Sequence, residues 1–310
     1  VVTGVQTCAL PISNTFSAAL VERAPLDGGG EPRVVRDRSM SVRLSEGLTP
    51  GGALRSTAIA RALAALERLA DELEIPGRPL RAVGTQALRM AADPERFTEP
   101  AARILGAPIE VIDATSEALL TARGALVGLR VDGPWTVVDV GGQSTELVAG
   151  GAAPPAADSL AFGAVGLTER YAAHDPPTPA QLARIAAAID TALARTAHVG
   201  GDREVVAVAG TATTLAMLEL GLHRWDRERV HGLALRRGTI AAWLERLVAV
   251  DAATRTARWG VEPGRADVLP AGLVALERVL ARAGRDRLTV SANGLRVGVA
   301  LARIEEATWT

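Results

Sequence analysis

Lysine is missing from this chain: all 34 of its basic residues are arginine. With so much alanine alongside, that bias reflects high-GC bacterial codon usage and says nothing about mechanism. Cysteine occurs once, as Cys8, which excludes an internal disulfide. Four scattered histidines do not make a zinc site. No apolar run approaches the roughly 20 residues of a membrane helix. The formal net charge of −1 gives no overall positive field for nucleic acid, although a local arginine cluster can still hold an anion. What remains is a globular composition, 48% apolar and 22% charged over 310 residues, enough for two domains with a core each. Cytoplasmic is the default expectation.

The first residues stand apart. Val1–Ile12 lacks the basic start and continuous apolar core of a signal peptide. Its run Val2-Thr-Gly-Val-Gln-Thr-Cys-Ala-Leu-Pro-Ile12 resembles the translation of a common sequencing-adaptor oligonucleotide. Residues 1–12 are therefore expected to be an assembly scar on a gene truncated at its 5′ end, with the fold beginning at Ser13.

From there the pattern is strands first, then alternating helix and strand, and the second half repeats it. A strand follows Ser13, a Gly-rich hairpin falls at Asp27–Gly30, and Thr49-Pro50 opens a long helix. That helix carries Ile59, Leu63, Leu66, Leu69 and Leu73 on one face. Short strands at Arg81–Thr85 and Ile109–Ile112 precede helices carrying Arg89 and Glu117. In the second half a helix runs from Thr178 to about Ala197. The buried strand Glu204–Ala209 follows, then helices at Arg237–Val250, Pro270–Ala283 and Gly294–Glu306. A cleft between two such halves is where a ligand is expected.

The stretch of most chemical interest is Asp139-Val-Gly-Gly-Gln-Ser-Thr-Glu146. A β-branched run delivers Asp139 to a glycine pair, and a second strand returns through Glu146. A carboxylate at the mouth of a Gly turn suits a metal ion and a phosphate together, and a plain β-hairpin fits the spacing equally well. Ala209-Gly-Thr-Ala-Thr-Thr214 has a similar form and runs into a helix, whose N-terminus favours phosphate oxygens.

These segments match a family in order along nearly the whole chain. The sequence resembles the exopolyphosphatase and guanosine pentaphosphate phosphatase family (Ppx/GppA), within the actin-like ATPase fold group. Ser13-Asn14 is similar to the end of its Asp-x-Gly-Ser/Thr-Asn motif. Thr85-Gln-Ala-Leu-Arg89 resembles its Thr-x-x-x-Arg segment. Ile109 to Leu119 resembles its Glu-Val-Ile stretch, and Asp139 to Glu146 its Asp-x-Gly-Gly-Gly-Ser-Thr-Glu. Gly163-Ala-Val, Gly210-Thr-Ala-Thr-Thr214, Val230-His-Gly232, Arg265-Ala-Asp267 and Gly294-Leu-Arg296 fall in place as well.

The resemblance implies an α/β fold of two ribonuclease-H-like, actin-like ATPase domains around a central cleft. The domains are expected at residues 1–118 and 119–310, with helix 294–310 packing on the first. It implies Glu117 and Glu146 as catalytic carboxylates acting on the attacking water, and Asp139 as the Mg²⁺ ligand. It also implies phosphate binding by Ser13, Asn14, Arg89, Gly141, Gly142, Ser144, Gly210, Thr211, Ala212 and Thr213. Domain closure would bring Glu117 to the phosphate. Expected ligands are inorganic polyphosphate or guanosine penta- and tetraphosphate, and a homodimer is a common assembly for such enzymes.

Three departures qualify this. Leu10-Pro11-Ile12 replaces the first motif's Asp-x-Gly, Gln143 stands at the third glycine, and Ser116 replaces the first of two paired glutamates. Gln143 is expected to reshape its turn, because a non-glycine residue resists positive φ, or to project its amide toward phosphate. Three functions therefore stay open: a phosphoanhydride hydrolase, a kinase of the same fold group, and a non-catalytic polyphosphate or alarmone binder.

Overall fold

A computed structural model describes residues 5–12, 14–23, 32–75 and 77–308. Ser13 and the glycines of the Asp27–Gly30 hairpin lie outside the described residues. The chain divides into two compact units, Val1–Val127 with Gly294–Thr310, and Gly128–Asn293. The first carries β1 (Val5–Ile12), β2 (Thr15–Arg23), β3 (Arg33–Ser41), α1 (Ser56–Glu72), β4 (Leu80–Gly84), α2 (Gln86–Met90), α3 (Glu95–Leu105), β5 (Ile109–Val111) and α4 (Ala114–Leu126). The second carries β6 (Trp135–Val140), β7 (Thr145–Gly150), β8 (Ala156–Leu160), α5 (Ala164–Tyr171), α6 (Pro179–Leu193), β9 (Glu204–Val208), α7 (Ala209–Glu219), α8 (Arg227–Val230), β10 (Ala234–Arg236), α9 (Arg237–Val248), α10 (Ala252–Trp259), α11 (Pro263–Ala266), α12 (Leu269–Ala283) and β11 (Arg287–Val290). Helix α13 (Leu295–Thr308) belongs to the first unit. Helix α4 stays whole there too, so the division falls after it and not at residue 118.

Both sheets are wound alike. Among the described residues the first has the order β3-β2-β1-β4-β5, and the second β10-β11-β9-β6-β7-β8. In each, three strands form an antiparallel meander (β1–β3, β6–β8). Two more strands then add parallel beside the first of the three (β4 and β5, β9 and β11). That is the ribonuclease-H-like arrangement, present twice. Strand β9 reads Glu-Val-Val-Ala-Val and is buried from Val205 onward, the near-continuous apolar run of a strand covered on both faces. Helix α1 buries Ile59, Ala62, Leu66 and Leu69 at three- and four-residue steps. Helix α6 opens on a Thr178–Gln181 capping box with Pro179 in its first turn.

The expectation that the fold begins at Ser13 does not hold. Residues 5–12 form the central strand of the first sheet, paired with β2 through Val5–Ala9 and with β4 through Cys8–Ile12. The reason is period two. Cys8, Leu10 and Ile12 enter the core beneath α1, and Ala9 faces Val299, Ala300 and Ile304 of α13. Burial also pushes the Cys8 thiol above its usual range, which keeps it protonated and unreactive at neutral pH.

Helix α1 begins at Ser56 and not Thr49, because Gly47 and Gly51 at φ +68° and +72° hold the preceding residues in turns. Helix α6 ends at Leu193, short of Ala197. Helices α5, α8, α10 and α11 are not announced by the apolar patterning of the sequence.

Helices α4 and α13 approach closely enough to require glycine at two points. A Cβ on Gly124 would lie 2.6 Å from the Gly298 amide nitrogen, and one on Gly298 would strike the Leu120 carbonyl. Backbone cannot swing aside as a side-chain tip can. Gly298→Ala should therefore cost about 1–3 kcal/mol or more, read from urea denaturation. Gly238→Ala, with nothing within 4 Å of its new methyl, should leave stability unchanged or slightly raised. Equal effects from the two would contradict this packing.

Candidate functional site

In the second unit, β6 and β7 are paired so that Asp139 stands directly opposite Glu146. Cross-strand partners share a face, with Cβ atoms about 4.5–5.5 Å apart. The turn between them closes with the Gly141 N–H donating to the Ser144 carbonyl, 3.0 Å. On its other side Asp139 pairs with Val208, the residue that caps α7. One end of this sheet therefore gathers Asp139, Glu146, the Gly141–Ser144 turn and the start of α7.

The glycines of the turn serve close approach, not positive φ. None of Gly141, Gly142 and Gln143 takes a positive φ, so the strain anticipated at Gln143 does not arise. Helix α5 instead leans on the turn. The N–H of Ala164 donates to the Gly141 carbonyl (2.9 Å), and those of Val165 and Gly166 to the Gly142 carbonyl (2.8 and 3.0 Å). A Cβ on Gly163 would lie 2.5 Å from the Gly142 backbone. A Cβ on Gly166 would lie 2.8 Å from Gln143 Oε1, which places the Gln143 amide over α5.

Strand β9 passes into α7 without a loop, the corner being made by Ala209 at φ +62°. The anticipated Gly turn at 210 is thus the first turn of a helix. Thr211 and Ala212 are buried, and the Thr213 hydroxyl donates to the Ala209 carbonyl at 2.9 Å. What this segment offers an anion is the helix dipole and its first-turn N–H groups. Gly210 has a further use. A Cβ there would collide with the Arg265 guanidinium, whose Nε pairs with Glu262 at 3.1 Å. Arg265 therefore lies on the first turn of α7, a placement no local signal reveals because 55 residues separate it from Gly210.

The first unit has a matching end. The Thr85 N–H donates to the Ile12 carbonyl (3.1 Å), linking the ends of β1 and β4. Asn14 follows β1, and its Oδ1 accepts from the Ser45 N–H and hydroxyl at 2.8 and 2.7 Å, so that oxygen holds a loop. Arg89 on α2 donates from Nη1 to the Ile112 carbonyl (2.9 Å) and to Glu117 Oε2 (2.7 Å). Arg89 and Glu117 are brought together with about a quarter of each side chain exposed. Leu10, at the position of the first motif's aspartate, is wholly buried against α1-side core residues.

Glu117 sits in the first turn of α4, whose N-cap is Asp113. Asp113 accepts from the Ser116 hydroxyl at 2.6 Å and the Ser116 N–H at 2.9 Å. Ser116, unexpected where a glutamate was anticipated, thus completes the cap. The Ser116 hydroxyl, followed by its N–H, holds the Asp113 carboxyl below its usual range.

Among the described residues no group of three or more His, Cys, Asp or Glu side chains converges on one point. Mg²⁺ does not need one, since it commonly takes one or two carboxylates plus phosphate oxygens and water. The Asp139–Glu146 pair has the hard oxygen donors that fit it.

An α/β chain whose second sheet gathers a Gly turn, two carboxylates and a helix start at one end has the layout in which anionic ligands are commonly held. The profile of the Ppx/GppA phosphatase family matches residues 26–307. Exopolyphosphatase 2 of Mycobacterium tuberculosis is 34% identical over 288 residues, covering 88% of this chain and 90% of that protein. The guanosine-5'-triphosphate,3'-diphosphate pyrophosphatase of Vibrio atlanticus is 31% identical over 95% of this chain and 58% of its own, longer one. The crystal structure of the Aquifex aeolicus Ppx/GppA family member superposes with a TM-score of 0.83 at 29% identity, covering 98% and 99% of the two chains. The chain belongs to the Ppx/GppA phosphatase family.

Asp113 sets a pH test. A carboxyl with a depressed folded pKa contributes stability above its unfolded pKa of about 4 and loses it as pH falls through the folded value. Asp113→Asn should lower the melting temperature at pH 7, and the gap from wild type should shrink as pH drops below about 4. A gap that stays constant to pH 2 would show that the charge of this cap is not what holds the start of α4.

Proposed function

We propose that this chain is a phosphoanhydride hydrolase that releases terminal phosphate from inorganic polyphosphate, guanosine pentaphosphate or both. The observation that carries the reading is the Asp139–Glu146 pair in register beside the Gly141–Ser144 turn and the start of α7. Phosphoryl transfer asks little covalent chemistry of a protein; it asks for positioned water, compensated charge and fixed donors. Glu117 is the general base for the attacking water, and Arg89 holds its carboxylate in one orientation. Glu146 assists as a second carboxylate. Asp139 is the proposed ligand of Mg²⁺, which when bound spreads the negative charge of the transferred group. The N–H groups of the turn and of Gly210–Thr213, with the remaining donors of Arg89, receive phosphate oxygens.

Nothing supports a nucleic-acid partner, given a net charge of −1. No helix among the described residues is long and apolar enough to cross a membrane. A homodimer and a cytoplasmic location complete the proposal.

A second reading, a non-catalytic binder of polyphosphate or guanosine alarmones, draws on Leu10, which puts hydrocarbon where the family motif has an aspartate. Phosphate release from each substrate with Mg²⁺ separates the two. Glu117→Gln should lower turnover by about 10²–10⁴-fold while leaving substrate binding near wild type. Undiminished turnover would remove Glu117 from the reaction. Tight binding of labelled polyphosphate with no phosphate released by wild type would favour the binder.

A further inference from the structure

Ser159 lies outside every motif above, yet it touches the site. Strand β8 pairs with β7 so that Ser159 stands opposite Glu146, and the Ser159 hydroxyl donates to Glu146 Oε1 at 3.0 Å. Glu146 thus has Asp139 across one edge of its strand and Ser159 across the other. The sheet order β6-β7-β8 makes the direction of pull plain. The hydrogen bond draws the Glu146 carboxylate toward β8 and away from the like charge of Asp139.

An exposed serine on a terminal strand is a poor anchor unless the strand is itself fixed. Here the next residue supplies that. Asp158 accepts from the Thr196 hydroxyl, and the His198 ring lies beside it, with Nδ1 2.8 Å from the same carboxylate. The Thr136 hydroxyl on β6 donates to the His198 carbonyl at 2.6 Å, which ties the 196–198 segment back to the strand that carries Asp139. Ser159 is therefore held from behind, on the opposite face of β8, by a chain of contacts leading to β6.

We infer that Ser159 is a positioning residue for Glu146, fixing the rotamer and separation in which that carboxylate assists hydrolysis. The inference rests on the hydrolase reading above. A hydrogen bond to a charged group, once lost, leaves the carboxylate free to sample other rotamers, and the cost falls on turnover more than on binding.

The test uses the full chain with polyphosphate, Mg²⁺ and phosphate release. Ser159→Ala should lower kcat about tenfold or more with KM within about twofold of wild type. Ser159→Thr, which keeps the hydroxyl, should restore most of the rate. Combined with Glu146→Gln, Ser159→Ala should add little further loss, because both changes act through one carboxylate. Ser159 is exposed, so the melting temperatures of Ser159→Ala and Ser159→Thr should lie close to wild type. A Ser159→Ala enzyme with wild-type kcat, a threonine variant as slow as the alanine one, or full additivity with Glu146→Gln would each overturn the inference. If wild type released no phosphate from polyphosphate or guanosine pentaphosphate, the hydrolase reading would fail and take this inference with it. Wild-type turnover with an unaffected Ser159→Ala variant removes only the role of Ser159.

Discussion

Two carboxylates facing each other across a pair of strands repel, and the second unit places Asp139 and Glu146 in that relation. Directly opposed like charges destabilise a sheet, so the arrangement calls for something that answers the charge. Three features do. The Ser159 hydroxyl takes one oxygen of Glu146. Helix α7 begins beside Asp139, presenting the positive end of its dipole. The proposed Mg²⁺ supplies the rest when it arrives with a phosphate chain. Two opposed carboxylates are a good receptor for a cation carrying its own anionic ligands.

The first unit solves a different problem with the same topology. Its sheet also brings loop and helix starts to the carboxyl ends of β1, β4 and β5, but β1 contributes Leu10 there and no carboxylate. That end carries the ion pair of Arg89 with Glu117, partly screened from water, and Arg89 also donates to the Ile112 carbonyl. The Arg89 contact thus holds the Glu117 carboxylate in a fixed place, on a helix started by Asp113 and Ser116. A base for water, the role proposed for Glu117, needs that pre-organisation more than it needs an unusual environment.

How much of this could be read from the residues depended on the range of the signal. The β6–β7 hairpin was legible because a β-branched run and a glycine pair are local. The start of α7 was half legible: the Gly-Thr pattern marks the place, but an alanine at φ +62° is not a conformation that a sequence announces. Strand β1 was misread, since Gln6, Thr7 and Pro11 blur its alternation. Pro11 is tolerated because it lies beyond Ala9↔Ala19, the final β1–β2 pair, where no antiparallel ladder bond awaits its missing N–H. The Arg89–Glu117 contact spans 28 residues, and that between Ser159 and Glu146 depends on the register of a third strand. Neither leaves a local trace.

The proposed hydrolysis depends on Asp139 and Glu146 being answered by a divalent cation. The most direct measurement is phosphate release from polyphosphate as Mg²⁺ is titrated into chelator-stripped protein, for wild type and Asp139→Asn. Wild type should be inactive when stripped and recover fully on titration, and Asp139→Asn should need at least about tenfold more Mg²⁺ for half its maximal rate. Full activity of the stripped wild type, or identical Mg²⁺ dependence in the two proteins, would contradict it.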